Sequence, residues 1–253
     1  MSHSHGKFVW FEHLSDDVSG ARAFYEQLFG WRSENMPTGG EPYPVIRNGA
    51  EGIGGYRTAP AGVPASWLSY LSVADVDSSY AAALAAGAKG LMPPTDFGSI
   101  GRGATIADPT GAAFSLWKDS EGDRADTAAP AVGDWFWNEL WTPAEPAALA
   151  FYEKVFGYTH DSMDMGPQGT YYLLRAGDKM RGGLMKATDP AAPPMWLPYV
   201  AVADCDTATA KARSLGARMV CVPPTDIPNV GRFSVVLDPQ GAAIALIKPA
   251  AMS

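Results

Sequence analysis

Phe24-Tyr-Glu-Gln-Leu-Phe-Gly-Trp31 returns 127 residues later as Phe151-Tyr-Glu-Lys-Val-Phe-Gly-Tyr158. The octapeptide reads as the end of an amphipathic helix. Phe24, Tyr25, Leu28 and Phe29 recur at helical spacing, and Gly30 supplies the left-handed residue that stops it. Other segments return at nearly the same offset. Pro93-Pro-Thr-Asp96 comes back as Pro223-Pro-Thr-Asp226, Asp108-Pro-Thr-Gly111 as Asp238-Pro-Gln-Gly241, and Val73-Ala-Asp75 as Val202-Ala-Asp204. The chain is one unit written twice. The halves span 7–118 and 134–249. Between them, 119–133 is charged, rich in Ala, Pro and Gly and without periodicity, so it reads as a linker.

Each half repeats an inner pattern. A short aromatic strand (Phe8–Leu14) precedes the helix, and strand candidates follow near 43–48 and 52–57. The pattern then restarts with a strand at Trp67–Val73 and a helix at Asp77–Ala86. Strands near 89–92, 103–107 and 112–117 close it, the last two joined by the Asp-Pro-Thr-Gly turn. In the second half Thr142-Pro-Ala-Glu145 reads as a capping box, with Thr142 as N-cap and Pro143 in the first turn. The chain therefore holds four β-α-β-β-β modules. Its 27 glycines and 21 prolines suit many turns between short strands.

Composition narrows the function. Over 253 residues, 47% are hydrophobic and 18% charged, a balance that supports a packed core. The net charge of −8 and the lack of a basic cluster argue against nucleic acid and anionic membranes as partners. No apolar run reaches membrane-spanning length. Met1-Ser-His-Ser-His-Gly6 lacks the pattern of a secretory signal, and two cysteines suit a reducing compartment, so a cytoplasmic location is expected.

Three segments carry a family resemblance: Phe24-Tyr25…Leu28-Phe29-Gly30, Val73-Ala-Asp75 and Asp108-Pro-Thr-Gly111, each repeated in the second half. Together they resemble the vicinal oxygen chelate superfamily, which includes glyoxalase I, extradiol dioxygenases and fosfomycin- and bleomycin-resistance proteins. Trp10-Phe-Glu-His13 and Trp137-Asn-Glu-Leu140 further resemble its tandem two-domain branch, often labelled hydroxylase. The resemblance implies an α+β fold. Two tandem glyoxalase-like domains would each pair two βαβββ modules into a cupped, eight-stranded half-open barrel. It also implies metal ligands, usually His or Glu, on the concave face. The positions that match the family's ligands hold Trp10, Leu68 and Ser115 in one half and Trp137, Leu197 and Ala245 in the other. Trp, Leu and Ala have no side-chain oxygen or imidazole nitrogen with which to bind a divalent metal, which needs about three such donors. Of the four histidines, His3 and His5 fall in what reads as a frayed terminus. His13 should face away from Trp10, and His160 follows a helix end.

Strand alternation gives the expected contents of the cups. In the first, Phe8, Trp10, Glu12 and Leu14 share a face with Tyr70, Ser72, Ser115 and Trp117. In the second, Trp135, Trp137, Glu139 and Trp141 share one with Tyr199, Ala201, Ala245 and Ile247. Glu12 and Glu139 are the candidate catalytic residues. A carboxylate in an aromatic cup needs a partner or a use, as a general base or as an anchor for a cation or hydroxyl. A structural hydrogen bond is the competing reading.

Trp10, Tyr70, Ser115, Trp117, Trp137 and Tyr199 are candidate ligand-binding residues, by stacking or hydroxyl donation, or else core filling. Arg102 and Arg232 could bind an anionic group, pair with Glu12 or Glu139, or form structural ion pairs. Gly54-Gly55 and Gly182-Gly183 read as strand kinks or close approaches. Cys205 sits beside helix-capping acids that should raise its thiol pKa, and Cys221 reads as a strand core residue.

The residues point to a small-molecule binding protein with no resident cofactor. A glyoxalase-like lyase or isomerase, or a dioxygenase or hydroxylase, is the alternative. It would use a noncanonical divalent metal site or Glu-based acid/base chemistry. A third reading has the cups merely packed. The protein should be a monomer or homodimer, and the first cup, with Ser72 and Ser115, is the more polar.

Overall fold

A computed structural model describes residues 3–37, 42–127, 129–187, 189 and 192–250. Four modules follow one another. The first is β1 (Phe8–Ser15), α1 (Val18–Phe29), β2 (Arg32–Met36), β3 (Tyr43–Asn48) and β4 (Glu51–Thr58). The second is β5 (Ser66–Ser72), α2 (Val76–Ala85), β6 (Lys89–Asp96), β7 (Gly101–Ala107) and β8 (Ala113–Asp119). The third is β9 (Trp135–Thr142), α3 (Glu145–Phe156), β10 (Thr159–Asp164), β11 (Thr170–Ala176) and β12 (Lys179–Lys186). The fourth is β13 (Met195–Ala201), α4 (Cys205–Ser214), β14 (Met219–Ile227), β15 (Gly231–Leu237) and β16 (Ala243–Pro249). Two open eight-stranded sheets result, ordered β2-β3-β4-β1-β5-β8-β7-β6 and β10-β11-β12-β9-β13-β16-β15-β14. None of the described helices is long and apolar enough to cross a membrane.

The helix stops match the sequence. Gly30 and Gly157 take left-handed conformations and end α1 and α3. Asp17, Asp75 and Asp204 cap α1, α2 and α4 through their side chains. The capping box at Thr142 does not form. Thr142 is the last residue of β9, α3 starts at Glu145, and Ala144 is its N-cap without a side-chain bond. The Thr142 hydroxyl instead accepts from the Ala144 amide at 3.2 Å and closes the strand-to-helix turn.

Contacts divide the chain into two compact units that cross the sequence halves. One comprises Met1–Val9, Leu68–Asp126 and Trp137–Trp196; the other comprises Trp10–Trp67, Thr127–Phe136 and Leu197–Ser253. Module two thus packs with module three, and module one with module four. The repeated motifs explain this pairing. In the first unit, Tyr152 of α3 donates to Asp108 Oδ2 at 2.9 Å and accepts from the Trp196 indole at 2.8 Å. In the second, Tyr25 of α1 donates to Asp238 Oδ2 at 2.9 Å and accepts from Trp67 at 2.9 Å. Each Asp opens an Asp-Pro-x-Gly turn, and its other oxygen accepts the turn's own amides. The buried carboxylate is therefore satisfied from both sides. Burial foremost, and the neighbouring carboxylate next, push both tyrosines well above the usual phenol pKa.

His13 adds to the second unit alone. Its Nε2 lies 2.7 Å from Asp238 Oδ2, and both side chains are wholly buried. Burial alone would raise the Asp238 pKa. The bond and charge of His13, with the Ala242 amide and Tyr25, outweigh burial and hold it below the ordinary range. His13 thus faces Tyr25, Tyr56 and Trp67, away from Trp10 as alternation requires. The matching cross-strand pair of the other sheet is Leu140 with Leu184.

Some sequence expectations are corrected. His3 does not fray: its Nδ1 lies 2.7 Å from Ser72 Oγ, and Ser72 donates to Asp123 of the linker at 2.6 Å. Met1 and Ser2 lie outside the described residues. Part of the linker is held down, with Asp126 bonded to Arg181 at 2.8 Å and to Lys7 at 3.2 Å. Cys221 is exposed, because β14 is an edge strand whose alternate residues face outward, whereas Cys205 is buried and its thiol pKa is raised chiefly by burial. Phe8 and Trp135 open their strands by packing on Trp196 and Trp67, at ring separations of 4.6 and 5.1 Å.

Candidate functional site

Each unit contains the same three-residue relay. In the second unit, Trp10 Nε1 donates to the Tyr43 hydroxyl at 3.1 Å, and Tyr43 donates to Glu12 Oε1 at 2.8 Å. In the first, Trp137 Nε1 donates to Tyr171 at 2.9 Å, and Tyr171 hydrogen-bonds Glu139. Burial first, then the Glu139 charge, push the Tyr171 hydroxyl far above its usual pKa, so it acts as a neutral donor. The carboxylates are buried, at 3% and 5% exposure, while Trp10, Tyr43, Trp137 and Tyr171 are half-buried.

The backbone makes room for these tyrosines. Gly55 is the parallel β4 partner of Glu12, and Gly183 the β12 partner of Glu139. A Cβ on Gly55 would collide with the Tyr43 hydroxyl, and one on Gly183 with the Tyr171 hydroxyl. The paired glycines are thus a close approach. Tyr43 and Tyr171 are the residues sequence reasoning missed. Their signal was present, since both recur at the 128-residue offset of the Gly-Gly pairs.

The relays differ beside the carboxylate. Glu12 Oε2 lies 2.8 Å from Arg57 Nη2. Arg57 pairs across the strands with Leu14; the matching pair in the other relay is Met185 with Trp141. Trp141 donates its indole N–H to Glu139 Oε1.

The remaining candidates fall into separate groups. Tyr70 is the β8 partner of Ser115, and its ring lies 5.9 Å from the half-buried Trp117. Ser115 is buried, with its hydroxyl 2.9 Å from that of Thr105. In the other unit Tyr199 pairs with Ala245, stacks on Phe233 at 6.1 Å and is only 3% exposed.

Arg102 and Arg232 are committed elsewhere. Arg102 forks onto Asp77 at 2.7 and 2.8 Å and reaches Asp96 at 2.8 Å. Arg232 does the same with Asp206 and Asp226. These exposed triads tie the first turn of α2 or α4 to the neighbouring hairpin. The structural ion-pair reading fits them, and Arg57, not Arg102, stands beside Glu12.

The metal positions implied by the family do not fit a metal. Trp10 and Trp137 donate to tyrosines, Leu68, Leu197 and Ala245 are buried without donor atoms, and Ser115 is bonded to Thr105. Among the described residues, no group of three His, Cys, Asp or Glu side chains is placed to hold a metal ion.

The family model described as Glyoxalase/Bleomycin resistance protein/Dioxygenase superfamily matches residues 7–116 and again 139–246. A Mycobacterium tuberculosis protein named "Putative glyoxylase CFP32" is 40% identical over 247 residues, covering 95% of this chain and 94% of its own length. The "Anthracycline biosynthesis protein DnrV" of Streptomyces peucetius is 30% identical over 275 residues, covering 96% of this chain and 93% of its own. Among solved structures, the Mn(II)-bound glyoxalase from Novosphingobium aromaticivorans superposes with a TM-score of 0.65 at 17% identity, over 98% of this chain and 83% of that one. With the duplicated fold and both matches in register with it, the chain belongs to the Glyoxalase/Bleomycin resistance protein/Dioxygenase superfamily as a tandem two-domain member.

Proposed function

We propose that the protein binds a flat, hydroxyl-bearing organic molecule at the Trp–Tyr–Glu relays, without help from a metal. The observation that carries this reading is the duplication of the relay where the family would place metal donors. A buried carboxylate is costly unless satisfied, and each is met by a tyrosine that a glycine makes room for. Glu12 and Glu139 would accept from ligand hydroxyls, and the half-buried indoles would pack against an aromatic plane. Tyr70, Ser115, Trp117 and Tyr199 would supply further contacts. The relative named for anthracycline biosynthesis agrees with a polycyclic, hydroxylated ligand. The protein would act in the cytoplasm, as a monomer or homodimer.

A second reading is favoured by the relatives named as glyoxylases: acid/base chemistry on a bound substrate, with Glu12 or Glu139 moving the proton. Both readings require the carboxylates. Titration of quinizarin, a flat dihydroxyanthraquinone, into the full chain tests the first. Glu12→Gln and Glu139→Gln should each weaken binding at their own site by about tenfold, the loss of a charge-assisted hydrogen bond. Unchanged affinity in both variants would sink it.

A further inference from the structure

We infer, on the binding reading above, that Arg57 sets the selectivity of the Glu12 site: the site takes a planar hydroxyaryl ketone whose carbonyl oxygen accepts from the guanidinium. A guanidinium carries five N–H donors in a fixed fork. Arg102 spends Nε, Nη1 and Nη2 on Asp77 and Asp96, and Arg232 spends the same three on Asp206 and Asp226. Arg57 is spent differently. Its Nη2 lies 2.8 Å from Glu12 Oε2, but its Nε, which is out of solvent, meets no acceptor among the described residues. An N–H donor left unmet is costly, and an acceptor oxygen brought to this guanidinium is what the fold does not supply.

Strands β1 and β4 place the arginine. It stands two residues beyond Gly55, the partner of Glu12, and so on the same face of the sheet. Its own partner, Leu14, is buried and has no side-chain acceptor. The bond to Glu12 orients the guanidinium before any ligand arrives. The Glu12 side chain is 4% exposed and that of Arg57 39%, so the arginine is the member of the pair that an entering molecule meets first. Trp10 and Tyr43 beside Glu12 are half-buried, which leaves aromatic surface for a flat ring. A carbonyl oxygen only accepts, so it suits Arg57 and not Glu12. A neutral ketone also keeps the local charge balanced, where a carboxylic acid would set a second negative charge beside Glu12. At the matching place in the other relay stands Met185, which has no N–H to give.

Two flat three-ring probes that differ at one carbon test this. 2-Hydroxyfluorenone carries a carbonyl where 2-hydroxyfluorene carries a methylene, and both are neutral at neutral pH. Calorimetric titration of the full chain should show the ketone binding about tenfold more tightly, the worth of a hydrogen bond to a charged group. Arg57→Met, which copies the other relay, should bring ketone affinity down to that of 2-hydroxyfluorene. Arg57→Gln keeps an N–H for Glu12 but removes the charge, and it should lose the preference as well, so the test stands even if Arg57→Met fails to fold. Equal affinity for the two probes in the wild type would overturn the inference, as would a preference that survives in either variant. If quinizarin still binds in a carboxylate-dependent way while the two probes are not distinguished, only the ketone assignment fails. If quinizarin and both probes all fail to bind, the binding reading fails with it.

Discussion

Replacing Tyr152 by Phe should destabilise the protein by about 3 kcal/mol, a figure that follows from the two hydrogen bonds its hydroxyl makes. The ring and its packing on Phe114, Phe156 and Trp196 remain. The hydroxyl goes, and with it the bond to Asp108 Oδ2 at 2.9 Å. Hydrogen bonds to a buried charge contribute about 1.5–3 kcal/mol, and a buried donor left unmet costs about 1 more. That donor is the Trp196 indole, whose acceptor is the same hydroxyl. Tyr25→Phe removes the matching group in the other unit, but Asp238 Oδ2 keeps His13 at 2.7 Å. Its cost should be nearer about 2 kcal/mol. The ordering is thus a sharper prediction than either value. Guanidinium unfolding followed by circular dichroism gives both, and Tyr152→Phe should lower the melting midpoint by about 6–10 °C. Both variants staying within about 0.5 kcal/mol of wild type, or Tyr25→Phe being the more damaging, would show that these hydroxyls do not anchor the buried carboxylates.

Gly55→Ala and Gly183→Ala should each push the relay tyrosine off its carboxylate, so quinizarin affinity falls by about tenfold at that site while the circular dichroism spectrum is kept. The double variant His13→Leu/Tyr56→Leu copies the Leu140–Leu184 pair of the other sheet and should be neutral or stabilising by about 1 kcal/mol. A loss of more than about 2 kcal/mol on denaturation would show that the buried His–Asp pair supports the fold. Stability should also fall at both pH extremes. Asp238 has a lowered pKa in the folded state, so its contribution is full above the unfolded value of about 4 and is lost as pH falls below it. Tyr25, Tyr56, Tyr152, Tyr158 and Tyr171 have raised pKa values, so their contribution is full below about pH 10 and is lost as pH rises past it. Urea midpoints measured across pH check both signs.

The fold was readable because its signals are local and repeated. A helix period ending in Gly30, the aspartate caps and the Asp-Pro-x-Gly turn are each decided within a few residues, and the duplication reports them twice. Glu12 and Glu139 were readable by strand alternation alone. The partners were not. Tyr25 meets Asp238 across 213 residues of chain, and nothing local in Asp-Pro-Gln-Gly says that its carboxylate anchors a tyrosine from the other half. Tyr43 reaches Glu12 from β3, one strand beyond the β4 partner of β1, and the clue lay in a glycine opposite the carboxylate. Met219-Val-Cys-Val222 has the look of a core strand, but its place at a sheet edge exposes Cys221. The strand Arg32–Met36 is polar on both faces, so no alternation announces it.

The ligand is proposed to be held by the duplicated carboxylate relays and not by a metal. Quinizarin titration of the wild type and of the Glu12→Gln/Glu139→Gln double variant, each with and without a strong chelator, tests it most directly. Wild-type binding should be unchanged by the chelator and weakened about tenfold or more in the double variant. Binding that disappears with the chelator, returns with added divalent metal and is indifferent to both carboxylates would contradict it.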